Sequence, residues 1–509
     1  MFPARATYTS DTSGNIAGLA GAGATIPLNA APGTVLLLGD SITSECNNLG
    51  TPTAATRTSN VVTMTLASHG LGTNSIISVY GIAGFNATQV ALTRVDANTF
   101  TYPCVGADGA ATIDSTYARV MYEAYYGNNS FFVYCNGLLG GGLKLVKNFG
   151  QSSETTAMMA ARVSDLASYA AQECWVLGGA NDVVGSTTVA TTIASLKSIY
   201  AQLRGQGRVV RAITILPLGS GHASFSTATP KIQQINEWIR QYCRKTPGMV
   251  LVDGYASLVN TANGAAASNV LRADNVHLQT YGAYLLGQAI KHSYHGQVVA
   301  SGGILTSCAV DDYATNASNP NIWQGAPWVA TGGTISDVVS GVAGTGFNVS
   351  SSGNAGRVAV ASAPSRADGY GFNQRVVFTP AAANDTVTIQ QQSTAALAAR
   401  VAVGEQYILR CALKTTNVSG SNLSYIRTRI QGTFDGTTVA LGAIFQPTAF
   451  GTNNVATDMD LVLESAPMVI PPFTSCTSIS VEFIMVFTAA GTAITLDVGR
   501  VSLVRVNNS

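Results

Sequence analysis

Four consecutive apolar residues, Val35-Leu36-Leu37-Leu38, run straight into Gly39-Asp40-Ser41. An apolar run this short, closed by glycine, reads as a strand buried on both faces, the kind found in parallel sheets. Comparable runs recur at residues 143–148, 174–177, 209–216 and 249–253. Helix-length segments lie between or after them, at 155–170, 189–204, 230–244 and 281–292. This alternation predicts a three-layer α/β/α architecture, with a parallel sheet covered on both faces. Open α/β sheets hold their sites beyond the carboxyl ends of the strands. Ser41 stands at such an end.

A serine hydroxyl is a weak nucleophile until a base removes its proton, and the base needs an orienting carboxylate. Asp274-Asn275-Val276-His277 supplies both from one short loop. Of the five histidines, only His277 has an aspartate three residues before it. His69 reads as a turn residue, and His222 lies in a loop at a strand end. His292 and His295 close the last helix, where a cation is favoured. Asp253 rivals Asp274 but reads as structural, and Asp40 and Asp182 read as holding their turns. Two more segments follow strand-like runs: Asn148-Phe149-Gly150-Gln151-Ser152-Ser153-Glu154-Thr155-Thr156 and Gly178-Gly179-Ala180-Asn181-Asp182. Acyl transfer needs donors aimed at the developing oxyanion. The Asn181 amide and the backbone N–H groups near Ser41 and Ser153 are the candidates.

The ordered set G-D-S, N-x-G-x-S, G-x-N-D and D-x-x-H resembles the SGNH (GDSL) hydrolase family of esterases and acetylesterases. The resemblance covers residues 30–50 and 120–295. It implies Ser41, His277 and Asp274 as a catalytic triad, and an oxyanion hole from Ser41, Ser153 and Asn181. It implies no cofactor and no metal. The family usually carries glycine where this chain has Ser153. A serine keeps the N–H but adds a Cβ to the pocket, with Gly150 as the fallback donor.

Charged residues make up only 10% of the chain and the net charge is +1, without a basic patch, which argues against nucleic acid as a partner. No run of 18 apolar residues suggests a membrane helix, and the first residues do not read as a secretory signal. The eight cysteines are scattered singly without a C-x-x-C pair, so a zinc or redox site has no support. Most read as buried free thiols, with a Cys308–Cys476 pair left open.

Residues 1–30 read as a leader or attachment segment, and 31–50 with 116–298 as the hydrolase domain. Residues 51–115 hold short β-type runs at 60–66, 75–79, 90–95 and 99–105, the pattern of a small inserted β-module. That stretch resembles β-modules of bacteriophage tail proteins, which implies a virion tail or extracellular location, tail attachment and a homotrimer. Residues 299–509 alternate apolar and polar positions between Gly, Asn and Ser turns, as a β-sandwich or jelly roll does. Their ending resembles the last strand of jelly-roll carbohydrate-binding modules. Trp323, Trp328, Tyr370 and Phe372 either stack on sugar rings or fill the sandwich core.

Three functions fit. The first is a serine esterase acting on O-acetyl groups of a bacterial surface polysaccharide. The second is a glycan-binding virion adhesin on an inactive hydrolase scaffold. The third is a lipase or thioesterase for longer acyl chains.

Overall fold

The computed structural model describes residues 33–294, 330–392, 400–447 and 457–506. The expectations for residues 1–30, His295, Cys308, Trp323 and Trp328 fall outside them. The apolar run forms β1 (Thr34–Gly39), followed at once by α1 (Ser41–Ser44) and, after an insertion, by α2 (Phe131–Leu138). Then come β2 (Lys144–Gly150), α3 (Thr156–Ala161), β3 (Glu173–Leu177), α4 (Ala180–Val184) and α5 (Val189–Gly205). β4 (Val209–Ile213), α6 (Phe225–Lys245), β5 (Met249–Val252), α7 (Gly254–Leu258) and α8 (Thr280–His292) complete this region.

The five strands form one sheet in the order β2-β1-β3-β4-β5, and every pairing is parallel. Strand periodicity assigns the faces inside the uniformly apolar β1. Leu36 and Leu38 enter a core with Met159 of α3, Leu196 and Ile199 of α5 and Ile232 of α6. Val35 and Leu37 point the other way, into a core with Phe131 and Phe132 of α2 and Leu286 and Ile290 of α8. Three layers result.

Two helices differ from the sequence expectation. The segment at 155–170 breaks after Ala161 into a 3₁₀ helix, Val163–Ser168. Arg162 leaves helical geometry there, with φ −116°, and its guanidinium turns back toward Glu154. α6 begins at Phe225, five residues before Pro230, which lies inside the helix and donates no backbone N–H there.

The insertion builds two small sheets. One runs Thr93–Arg94, Thr99–Pro103, Val61–Thr65, Ala54–Thr58, Gly109–Ala110. The other places Ile76–Tyr80 between Arg119–Tyr122 and Ala87–Ala91, with Asn48–Gly50 on the edge, so it draws on chain outside residues 51–115. Lys147 of β2, fully buried, reaches the Glu123 carboxylate and the Ser78 hydroxyl and fastens this sheet to the parallel one.

The C-terminal region is rich in sheet. Two seven-stranded sheets pack face to face, with Phe378 of one stacked on Phe487 of the other at 5.0 Å. One edge strand comes from far upstream. Tyr125–Gly127, just before α2, pairs in parallel with Thr437–Gln446. The Tyr122 hydroxyl donates to the Leu441 carbonyl at 2.5 Å, and Tyr134 stacks on Phe445 at 5.0 Å. The two regions therefore share a sheet edge and an aromatic core.

Among the described residues no helix is long and apolar enough to cross a membrane, and no cluster of three His, Cys, Asp or Glu could hold a metal. The described cysteines are free thiols, and most are buried.

Candidate active site

Ser41 is the first residue of α1, directly past β1. Asp40 caps the helix, its Oδ1 accepting from the Ile42 N–H at 3.1 Å. Two glycines allow the tight turn. A Cβ on Gly39 would lie 2.4 Å from the Leu177 carbonyl oxygen, and one on Gly150 would lie 2.2 Å from the Ser44 nitrogen. Asn148 locks the turn from β2, with its amide donating to the Thr43 carbonyl at 2.8 Å and to Asn47 Oδ1 at 3.0 Å. Burial pushes the Asp40 carboxyl up to about 7, with the Ile42 N–H pulling it back.

The loop before α8 brings His277 and Asp274 to Ser41. The Ser41 hydroxyl donates to His277 Nε2 at 2.7 Å, and His277 Nδ1–H donates to Asp274 Oδ2 at 2.9 Å. An ionised carboxylate only accepts, so Asp274 sets this tautomer. Its other oxygen accepts the N–H groups of Val276 and His277, each at 2.9 Å. Burial alone would raise the Asp274 carboxyl, but those bonds and the His277 charge hold it well below the usual carboxylate range. Burial opposes a charge on His277 as well. The Asp274 hydrogen bond and the Glu45 and Asp274 carboxylates outweigh it and keep the imidazole above its ordinary value. Asn275 turns the loop at φ +62°, and Gly219 N–H holds its carbonyl at 2.9 Å.

Of the oxyanion candidates, Ser153 lies on the neighbouring loop and Asn181 is bonded to that loop. Gln151 N–H donates to the Gly39 carbonyl at 3.0 Å, so residues 150–155 run alongside the turn that carries Ser41. The N–H groups of Ser41 and Ser153 have no acceptor among the described residues. The Asn181 amide donates one proton to the Glu154 carbonyl at 2.8 Å, which orients it and leaves its second proton for another acceptor. The fallback donor is corrected: Gly150 N–H is occupied by Asn148 Oδ1 at 2.8 Å, because that side chain also locks α1.

Ser153 sits at φ +63°, in the left-handed region that favours glycine. Ser153→Gly should relieve that strain and remove the Cβ next to the candidate oxyanion donor. We expect a gain of up to about 1 kcal/mol in stability, net of the added unfolded-state freedom. We also expect a relative rate increase on butyryl over acetyl esters. Thermal unfolding and a chain-length series of p-nitrophenyl esters check both; no change in chain-length preference would show that the Cβ does not gate acyl size.

The other singled-out residues hold structure. Asp253 caps α7 through the Ala256 N–H and pairs with Arg240 at 2.8 Å. Asp182 accepts from Thr156 N–H and Oγ1 at 2.8 and 2.7 Å. His222 Nδ1 accepts from Ser224 N–H, and His69 is buried in the inserted module. Tyr370 is 42% exposed, outside the sandwich core, with the Arg500 guanidinium 4.4 Å from its ring; Phe372 is half-buried.

Sequence reasoning passed over two buried acid–base pairs. Arg162 grips Glu154 through Nε at 2.8 and 2.9 Å and donates from Nη2 to the Phe149 carbonyl at 2.7 Å. Arg272 grips Glu45 at 2.9 and 2.5 Å. In a chain with 10% charged residues, an acid beside Ser153 and another four residues after Ser41 were a readable signal.

Residues 114–284 match the model of the GDSL-like Lipase/Acylhydrolase family. This segment holds every motif except Ser41, which the insertion separates from the rest. The match supports ester hydrolysis as a general class of activity. No curated protein matches the chain. Among solved structures the chain is similar to a lipolytic protein of the G-D-S-L family from Desulfitobacterium hafniense. That likeness has 12% identity, covers 51% of this chain and 99% of that one, and has a TM-score of 0.31. A lipase/acylhydrolase from Enterococcus faecalis is similar at 17% identity over 53% of this chain and 99% of its own, with a TM-score of 0.31. A GDSL-like lipase from Bacteroides thetaiotaomicron is similar at 21% identity over 30% and 76%, with a TM-score of 0.27.

Proposed function

We propose that this protein is a serine esterase. The observation that carries the reading is the unbroken chain from Ser41 Oγ through His277 to Asp274, at the carboxyl edge of a parallel sheet. Ser41 Oγ bonds to the ester carbonyl carbon while its proton passes to His277 Nε2. The N–H groups of Ser41 and Ser153 and the free proton of the Asn181 amide receive the oxyanion. Collapse expels the alcohol, which takes the proton from His277. Water, deprotonated by the same imidazole, then releases the acid and restores Ser41. Asp274 keeps the ring in the required tautomer throughout.

The substrate we propose is an O-acetyl group on a bacterial surface polysaccharide. A Cβ at Ser153, where the family usually carries glycine, favours a small acyl group, and the phage-like module and the sheet-rich C-terminal region favour a glycan met by a virion tail protein. The test is acetate release from acetylated bacterial polysaccharide and from p-nitrophenyl acetate. Release from both supports the full reading. Release from the small ester alone leaves the esterase and sinks the polysaccharide. A folded protein that releases acetate from neither sinks the acetylesterase.

The pH dependence has a definite sign. His277 must be neutral to accept the Ser41 proton, and its surroundings hold it above the ordinary imidazole value of 6.5. Protonation on the acid side removes the base. We expect kcat/KM to fall as pH drops, with the midpoint above 6.5. A pH–rate profile centred below that value would contradict this account of the base.

A further inference from the structure

We propose that Glu45 and Arg272 form a clamp that fixes the nucleophile and the base at reacting distance, so that both are positioning residues for the ester hydrolysis proposed above. The clamp closes a ring of bonds. Glu45 N–H donates to the Ser41 carbonyl at 3.1 Å, and the Glu45 carboxylate takes both arms of the Arg272 guanidinium at 2.9 and 2.5 Å. Arg272 N–H donates to the His277 carbonyl at 2.8 Å, and His277 Nε2 accepts the Ser41 hydroxyl at 2.7 Å. The two halves of the ring lie 227 residues apart in sequence. One half follows the first strand of the sheet and the other precedes the last helix, so nothing local sets their spacing.

Stability is a poor explanation for such a pair. Both side chains are buried, 6% and 7% exposed, and desolvation offsets much of the attraction in a buried ion pair. Geometry is the better one. A two-pronged guanidinium–carboxylate contact fixes orientation as well as distance, and a displacement of about 1 Å between reacting groups costs on the order of a hundredfold in rate. The clamp also acts by charge. The groups facing His277 are Asp274 on its own loop, Glu45 beyond α1, Asp40 at the end of β1 and Arg272. Glu45 favours the imidazolium that forms as Ser41 loses its proton, and Arg272 opposes it.

The experiment uses the full chain and compares the parent, Glu45→Gln and Arg272→Lys. Turnover of p-nitrophenyl acetate gives kcat and KM. Histidine-selective NMR in a Ser41→Ala background gives the titration of His277 without any need for turnover. We expect kcat to fall about tenfold to a hundredfold in each variant, with KM within about twofold of the parent. The His277 titration should move to lower pH in Glu45→Gln, which loses the carboxylate, and stay in place in Arg272→Lys, which keeps the cation. Unchanged kcat in both folded variants overturns the proposal, and so does an unmoved His277 in Glu45→Gln. Should Glu45→Gln fail to fold, kcat in Arg272→Lys decides alone. A parent that hydrolyses no ester, while His277 still shifts in Glu45→Gln, sinks the esterase reading and supports the coupling of Glu45 to the base.

Discussion

Ser41→Ala is expected to lower kcat for ester hydrolysis by roughly 10⁴–10⁶-fold while leaving the protein folded. The hydroxyl is the only part of the residue that the substitution removes. The Ser41 N–H stays at the start of α1, the Asp40 cap is untouched, and His277 keeps its bonds to Asp274. His277 Nε2 loses a donor, but its side chain is 26% exposed and water can replace it. The stability change should therefore lie within about 0.5 kcal/mol. Turnover with matched thermal unfolding gives the result. Loss of activity at an unchanged melting temperature places the nucleophile at Ser41. Activity within about tenfold of the parent would remove Ser41 from the mechanism.

Cutting the chain after residue 294 is expected to destroy the α/β region as a folded unit. A carbohydrate-binding module joined by a linker would come away cleanly, but here the contact is continuous. The strand Tyr125–Gly127 would lose its partner, Thr437–Gln446. Tyr122 would lose the Leu441 carbonyl, and Tyr134 would lose the ring of Phe445. Tyr122, Tyr125 and Tyr134 are 2%, 5% and 1% exposed in the intact chain. Re-exposing each costs roughly 1.5–3 kcal/mol, so the three together approach the 5–15 kcal/mol that holds a typical domain. We expect the fragment to aggregate or to unfold without cooperativity. Phe445→Ala in the full chain is the milder version, with an expected loss of about 3–5 kcal/mol. A soluble, monomeric fragment with parental kcat would show the α/β region to be self-sufficient.

Much of this architecture is legible in the residues. β1 is an unbroken apolar run because both its faces are covered, and that signature survives in one dimension. The helices α5 and α8 begin and end within a residue or two of the periodic pattern. The position of Ser41 is legible because a serine closing an apolar strand has a local signature. Asp274 and His277 are legible because both belong to one loop, and their spacing of three residues is itself the geometry that joins them. The early start of α6 was missed because Pro230 looks like a helix start, and the break after Ala161 because Arg162 gives no sequence signal for turning inward.

The sequence by itself determined what periodicity and short-range spacing can encode: the parallel sheet, its helices, the sheet-rich C-terminal region, and the identity of the serine, the histidine and the aspartate. Tertiary structure alone decided which distant groups meet. It placed Arg272 on Glu45 across 227 residues and put Tyr125–Gly127 on the edge of a sheet whose other strands begin more than 200 residues later. It also set Ser153 at a positive φ, where a glycine would have announced the turn. The physical reason is common to the ion pair and the sheet edge. A strand, a helix or a tight loop satisfies its hydrogen bonds nearby, so its residues carry the pattern. A buried charge or a sheet edge is satisfied by whatever the completed fold brings against it, and that partner leaves no mark at the position itself.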